Sequence, residues 1–426
     1  MIILGVMGNK RTFFCIVMVA AYLMMMANSI VISKGSPLVL GFSIFVFGYL
    51  AFLNVKSEYC MKFFFMYLYL LFILTLIITT SSNQYFSFRL FAKYGMGILA
   101  FPAGFYLFDK VDDFKPMEKL SIIFMVLFLL NMILSNVLHL GGSRYGEDTV
   151  ETGNLFDEAL YCNVCIAIMM PLFFHLQKKQ PLWITILLIV CVAFSCVLMK
   201  RTVIACFVVI YLLYYILKFY FINKYGKVEM DVVPVSWVRQ VIIFLLLISA
   251  VFTFKGLFMK MFMVRENAME RGLDKEQRTQ ELFEIFDDIV VNPESPKTFL
   301  LGQETFNTVG TYAHGSFGKR MIHENLGIML NGTGVVGFLF YLILDAYWLI
   351  VLFANISWER LKYSRQDRLL IYTYIALWAV YNISGMSGNI WVTIYPTFSF
   401  AVMGGIYRYF YSTKGLTYED TVNSEL

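Results

Sequence analysis

Long apolar runs alternate with short polar breaks along this chain, and each run has about the ~20 residues that a helix needs to cross a bilayer. The pattern predicts about twelve spans, at 12–32, 37–55, 61–81, 89–108, 118–138, 159–176, 182–199, 202–222, 236–255, 334–354, 368–387 and 390–410. Two of the breaks are minimal: Lys200-Arg201 between the seventh and eighth spans, and Ser387-Gly388 between the last two. One segment departs from the rhythm. Residues 256–333 form a 78-residue polar insertion between the ninth and tenth spans, and a polar loop that long is usually functional or a small domain of its own. Within it, 278–291 predicts an amphipathic helix. Leu282, Phe283, Phe286, Ile289 and Val290 share one face, with Glu281, Glu284, Asp287 and Asp288 towards the other. Asn292-Pro293 ends it, because the residue before proline is pushed out of the helical region. Such a helix suits a membrane surface or a lid over a cavity. A second polar loop, 139–158, carries Gly141-Gly142-Ser143-Arg144-Tyr145-Gly146 followed by Glu147, Asp148 and Glu151.

Composition settles the solvent. Apolar residues make up 59% and charged ones 15%, against roughly 45–50% and 25% in soluble domains, and mean hydropathy is +0.69. A soluble core cannot hide that much apolar surface, so soluble globular, secreted-disulfide, collagen-like and disordered classes are excluded. Lipid leaves helices or closed barrels, and unbroken runs in place of short alternating strands select helices. The expected fold is an all-α polytopic bundle forming one transmembrane domain over residues 1–426, with the extracytoplasmic loop 256–333 inserted in it. The net charge of +5 reflects topology rather than a nucleic-acid stripe. With the N-terminus inside, the cytoplasmic segments hold 19 Lys and Arg and the short outer segments six, which predicts both termini cytoplasmic. The first run is too long for the apolar region of a signal peptide and lacks a small-residue cleavage site, so it is expected to remain as a span. Cys162 and Cys165 form a CxxC on an expected membrane helix with no second pair nearby, which reads as two buried small apolar side chains.

Three features carry candidate chemistry. Lys200-Arg201-Thr202 sets two adjacent cations at a sharp turn on the outer face. Snorkelling to the interface accounts for such residues, and so does a phosphate site, where a guanidinium offers a planar fork of donors and keeps its charge when desolvated. His323-Glu324-Asn325-Leu326 then leads into Gly334-Val335-Val336-Gly337. A histidine at a membrane surface is usually ordinary, yet it can serve as a general base near neutral pH. The glycines would let another helix approach closely. Finally, Arg278 opens the amphipathic helix ahead of Asn292-Pro293 and Leu301-Gly302-Gln303. Arg271 lies seven residues earlier, on nearly the same face of a helix extended backwards, and Arg265 points elsewhere.

Taken together, these features resemble the O-antigen ligase and O-antigen/capsule repeat-unit polymerase superfamily. Lys200-Arg201-Thr202-Val203-Ile204-Ala205 resembles its Ser-Arg-Thr-Ala segment opening a span. Arg278, Asn292-Pro293 and Gly302 resemble its Arg, Asn-Pro and Gly-x-Gly run in the large loop. His323, Leu330, Gly334 and Gly337 resemble its His-Asn, Leu and Gly-x-x-Gly run entering the next span. The motifs cover about 195–345, and the topology covers the whole chain. This sequence departs from the pattern in having Lys200 for the serine, Glu324 inserted before Asn325, and Glu304 for the second glycine.

The resemblance implies a GT-C-like bundle in a bacterial cytoplasmic membrane and metal-independent, inverting glycosyl transfer at its outer face. The donor would be a glycan on undecaprenyl diphosphate. The acceptor would be another lipid-linked repeat unit in a polymerase, the preferred reading, or lipid A–core in a ligase. Arg201 and Arg278 would hold the diphosphate, and His323 would orient or deprotonate the acceptor hydroxyl. Lys200, Arg271, Arg265, Asn325 and Arg144 are further candidates for contact with diphosphate or glycan. No cofactor, metal site or nucleic-acid partner is expected, and a chain-length regulator is a candidate partner. A twelve-span transporter or flippase is the reading from another class. Its long loop would be expected after the sixth span on the cytoplasmic side, and its charged pathway is represented here most clearly by Asp345 alone.

Overall fold

A computed structural model of the chain describes residues 10–30, 37–137, 161–169, 182–197, 201–226, 277–306, 312, 315–317, 322, 324–386 and 395–414. The described residues are helical, with no strand among them. In chain order the helices are α1 (Lys10–Ile30), α2 (Pro37–Lys56), α3 (Phe64–Thr80, entered through a 3-10 turn at Cys60–Phe63), α4 (Gln84–Leu107) and α5 (Lys115–Val137). Next come α6 (161–169), α7 (Leu182–Val197) and α8 (Arg201–Tyr225). The long insertion contributes α9 (Gln277–Phe286) and α10 (Pro296–Leu301), and α11 (Asn325–Phe353), α12 (Arg360–Tyr363), α13 (Arg365–Gly385) and α14 (Tyr395–Ser412) complete the series. Among the described residues, five segments are long and apolar enough to cross a membrane: Cys60–Thr80, Gln84–Leu107, Asp112–Leu134, Thr202–Tyr225 and Asn325–Phe353. The protein is therefore a helical membrane protein. The predicted span 236–255 and the loop 139–158 lie outside the described residues.

Local chemistry starts several of these helices. Asn83 caps α4 by accepting from the Phe86 N–H at 3.1 Å, Ser295 caps α10 by accepting from the Thr298 N–H at 3.1 Å with Pro296 in the first turn, and Ser364 caps α13 by accepting from the Asp367 N–H at 3.1 Å. The fourth span begins at Gln84 rather than 89, so Arg89 and Lys93 stand further inside a helix than the predicted start would put them.

α4 lies at the centre. Of its apolar window 89% is buried, against 22% for α8 at the periphery. Its closest partner is α14. A Cβ on Gly104 would overlap the carbonyl of Ala401, and one on Gly404 would overlap that of Phe101. Backbone thus meets backbone at the crossing, as small residues permit where lipid removes the hydrophobic drive between helices. Pro102 stands inside α4 at this same level, where a missing N–H loosens the helix. Cys162 and Cys165 are buried free thiols in α6.

Polar contacts sort the helix ends into two groups. At one end Arg11 of α1 meets Asp113 before α5 at 2.5 Å, Arg408 of α14 meets Asp109 at 2.8 Å, and Tyr225 of α8 donates to the Trp358 carbonyl at 2.9 Å. At the other, the Thr80 hydroxyl lies 3.0 Å from that of Thr305, and the end of α13 meets the start of α11. Successive long helices run between the two ends, as antiparallel spans do.

Candidate functional site

The second end is organised around a break in α11. The helix begins at Asn325, nine residues before the predicted start of the tenth span at 334. Gly334 separates a short entering piece from the longer remainder, with φ 59° and ψ −166° inside an otherwise continuous helix. Only glycine takes such a conformation readily. The break frees carbonyls of the entering piece, and a buried carbonyl needs a donor. The Gln303 N–H donates to Asn331 O at 2.8 Å, and the Thr305 hydroxyl donates to Gly332 O at 2.5 Å.

The segment that supplies these donors is threaded against the break. Gly302, at φ 81°, comes so close that a Cβ on it would stand 2.5 Å from Asn331 O. A Cβ on Gly334 would in turn stand 2.5 Å from the Gly302 nitrogen. The sequence suggested that Gly334 and Gly337 admit a neighbouring helix. Gly334 in fact admits the loop backbone, and Gly337 abuts Phe72 of α3. On its other side the segment is held by hydroxyls. Ser87 donates to Thr305 O at 2.8 Å, and Glu304 accepts from the Ser82 N–H at 2.8 Å and from its hydroxyl. Thr305 and Phe306 are fully buried. Phe306 adopts φ 59°, a costly geometry for a side-chain-bearing residue that persists only where its surroundings over-determine it. Below it, the Tyr94 ring stands 6.0 Å away, and the Tyr94 hydroxyl donates to that of Tyr69 at 3.1 Å.

α9 lies across the entering piece of α11: a Cβ on Gly327 would stand 3.2 Å from Ile285 and from Ile322 and 3.8 Å from Leu282. The predicted helix 278–291 exists as α9 followed by a π-turn at Asp287–Val291, closed by the Asn292 N–H on Asp287 O at 2.8 Å. Its buried face differs from expectation. Phe283 and Phe286 are exposed, while Glu281 and Asp288 are buried with Ile285 and Ile289. The buried residues fall at i, i+4, i+7 and i+8, one ordinary helical face that includes two acids, and Glu281 turns inward to accept from the Tyr312 hydroxyl at 2.9 Å.

α8 and α13 reach the same end. The Cys206 thiol of α8 donates to Val380 O of α13 at 3.9 Å. Five residues further along each axis, a rise of ~7.5 Å, α8 opens at Arg201 and α13 closes at Gly385. Gly385 is the residue against which Asn325 packs, its Cβ position lying 2.5 Å from the Asn325 amide nitrogen. Asn325 is 2% exposed. Its amide lies within electrostatic reach of the Tyr341 hydroxyl but makes no hydrogen bond at normal distance. α6 joins through Asn163, whose amide donates to Val203 O at 3.0 Å.

Of the residues singled out from sequence, Asn325 is thus a buried, underused amide at the meeting of α11 and α13. Arg201 is the first residue of α8, which starts at this end, and Arg278 is the second of α9, whose Leu282 and Ile285 lie near Gly327 of α11. Lys200, Arg271, Arg265, Arg144 and His323 lie outside the described residues, and His323 precedes Asn325 by two. Sequence reasoning did not single out Thr80, Ser82, Ser87 or Thr305. The signal available for them was a run of hydroxyls, Thr79-Thr80-Ser81-Ser82, closing an apolar span. Asp345, the intramembrane acid of the transporter reading, accepts from Trp378 Nε1 and Asn382 Nδ2 of α13, each at 3.1 Å. Among the described residues no group of three His, Cys, Asp or Glu could hold a metal ion. No protein-family model matches the chain, and no curated protein matches it significantly.

Proposed function

We propose that this protein is a membrane glycosyltransferase. It joins undecaprenyl-diphosphate-linked oligosaccharide repeat units into O-antigen or capsular polysaccharide at the outer face of a bacterial cytoplasmic membrane. In this reading the bundle has about twelve spans, is GT-C-like and keeps both termini cytoplasmic. The observation that carries the proposal is a convergence. The helix that opens with Arg201, the loop helix that contains Arg278, and the start of α11 two residues after His323 gather at one end of the bundle, around the buried Asn325.

The chemistry follows from the donor. An acceptor hydroxyl attacks the anomeric carbon of the donor sugar from the face opposite the diphosphate, and the bond from that carbon to the diphosphate oxygen breaks. The electron pair leaves with the diphosphate, the configuration inverts, and the hydroxyl proton passes to His323 acting as general base. Charge builds on the leaving group, so guanidiniums fixed at Arg201 and Arg278 stabilise the transition state more than the ground state. Arg201→Ala, Arg278→Ala and His323→Ala are each expected to abolish long-chain glycan while the protein stays inserted at normal level. Glycan ladders on gels, beside membrane immunoblots, read this out. Normal ladders in all three variants would overturn the assignment.

A further inference from the structure

At the end of the bundle opposite the proposed site, three cations from two separate stretches of chain converge. Lys62, in the turn before α3, has its ammonium 3.2 Å from the centre of the Tyr411 ring, 5.0 Å from that of Tyr407 and 5.1 Å from that of Phe105. The Arg408 guanidinium stands over Tyr59 at 4.4 Å and over the same Phe105 ring at 5.3 Å. Lys414, just past α14, donates to Ala354 O at 2.9 Å. Arg408 and Lys414 supply the charges acting on Lys62. Among the described residues one carboxylate enters the group, Asp109, at 2.8 Å from Arg408 Nε. Three cations against one anion leave two positive charges uncompensated. Ring faces offset part of that repulsion, each cation–π contact at an exposed site being worth about 0.5–1 kcal/mol, but they bring no negative charge.

The surroundings say what kind of anion fits. Met61 and Phe64, on either side of Lys62 in the chain, are 77% and 55% exposed, and Tyr59, Tyr407 and Tyr411 supply the amphipathic rings found at headgroup level in membranes. A free phosphate would use the cations and leave the apolar flanks wet. A lipid satisfies both, with acyl chains on Met61 and Phe64 and phosphate between the ammoniums. We propose that Lys62, Arg408 and Lys414 form a binding site for the headgroup of an anionic phospholipid, with the Tyr411 ring as its floor. Two surplus charges match a headgroup carrying two phosphates, as in diphosphatidylglycerol. Basic pockets between membrane helices are suited to such lipids. Arg408 is committed to Asp109, so the ammoniums of Lys62 and Lys414 are the contacts that exchange with lipid.

Native mass spectrometry of the full chain in detergent, titrated with diphosphatidylglycerol, tests this. Each lysine near an anionic lipid contributes a factor of about five to binding, so the Lys62→Gln/Lys414→Gln double variant is expected to bind about 25-fold more weakly. Lys62→Arg/Lys414→Arg should retain binding, and both pairs leave Arg408 and Asp109 in place. Inorganic phosphate should not displace the lipid, and phosphatidylcholine should bind weakly to every form. Undiminished binding in the glutamine variant, or equal binding of phosphatidylcholine, would overturn the proposal. So would lipid binding that appears only after removal of residues 415–426, because Glu419, Asp420 and Glu425 would then be the natural occupants.

Discussion

At the end where Lys and Arg gather, arginines are spent on carboxylates: Arg11 on Asp113, Arg408 on Asp109 and Arg360 on Asp367. Among the described residues, the opposite end ties its loop through backbone groups, hydroxyls and the Glu304 carboxylate. There the described ties are a backbone N–H on Asn331 O, the Thr305 hydroxyl on Gly332 O, and serine contacts to Glu304 and Thr305. The contrast separates two ways of building. Where cations pair with acids inside the protein, they build it, and removing one is a stability experiment. Where backbone N–H groups and hydroxyls do the building, removing a donor or wedging the backbone apart is the corresponding stability experiment.

The sharpest way to break the contrast is to wedge the hydroxyl-tied end apart. Gly334→Val forces a branched side chain into positive φ, where the Cβ position lies 2.5 Å from backbone atoms of Leu300, Leu301 and Gly302. Neither strain nor overlap can be relieved by rotating a side chain. The expected result is loss of at least about 3 kcal/mol together with loss of glycan product, measured as the melting temperature in detergent and as ladders in cells. A Gly334→Val protein with wild-type melting would mean that the break in α11 is not the anchor of the loop.

Next in size is the charged end. Arg360 and Asp367 are 3% and 1% exposed, joined at 3.2 Å, with the Tyr409 hydroxyl donating to Asp367 at 2.8 Å. Asp367→Ala leaves a buried guanidinium without its anion, which costs about 3–5 kcal/mol in comparable sites. Glycan product per molecule of inserted protein should stay close to wild type, because the pair stands at the other end of the bundle. Equal loss of product and of stability in Asp367→Ala and Gly334→Val would erase the distinction between the ends.

Much of this architecture was legible from apolar periodicity, because lipid forces each span to satisfy its own backbone. Starts at Pro37, Leu182 and Arg201 fall on or beside the predicted ones. Periodicity failed where a helix continues through polar or broken sequence. Glu324-Asn325 and Asn331-Gly332-Thr333 read as loop, yet they belong to the approach and entering piece of α11, satisfied by partners distant in sequence. The contacts of Gly104 with Ala401 and of Gly404 with Phe101 join residues distant in the chain, and no local pattern announces them. At the candidate site, residue types pointed to Arg201, Arg278 and His323. The hydroxyl frame of Thr80, Ser82, Ser87 and Thr305 was not legible, because serine and threonine at a span end also cap helices or simply meet water.

The smallest expected effect tests that frame most finely. Thr305 is fully buried, and its hydroxyl donates to Gly332 O at 2.5 Å while lying 3.0 Å from the Thr80 hydroxyl. Thr305→Val keeps the shape and β-branching but removes the donor, so a carbonyl freed by the break in α11 loses its partner. The penalty for an unmade buried hydrogen bond is about 1–3 kcal/mol. Thr80→Val removes only the outer member of the pair, leaves Gly332 O satisfied, and should cost about 1 kcal/mol or less. The double variant should then lose less than the sum of the two, since once Thr305 is valine the Thr80 hydroxyl has no partner there left to lose. Melting temperatures of the four proteins in one detergent give the coupling. Strict additivity would mean that the two hydroxyls act separately, and that the loop is seated by the glycine contact and the Gln303 N–H without a hydroxyl relay from α3.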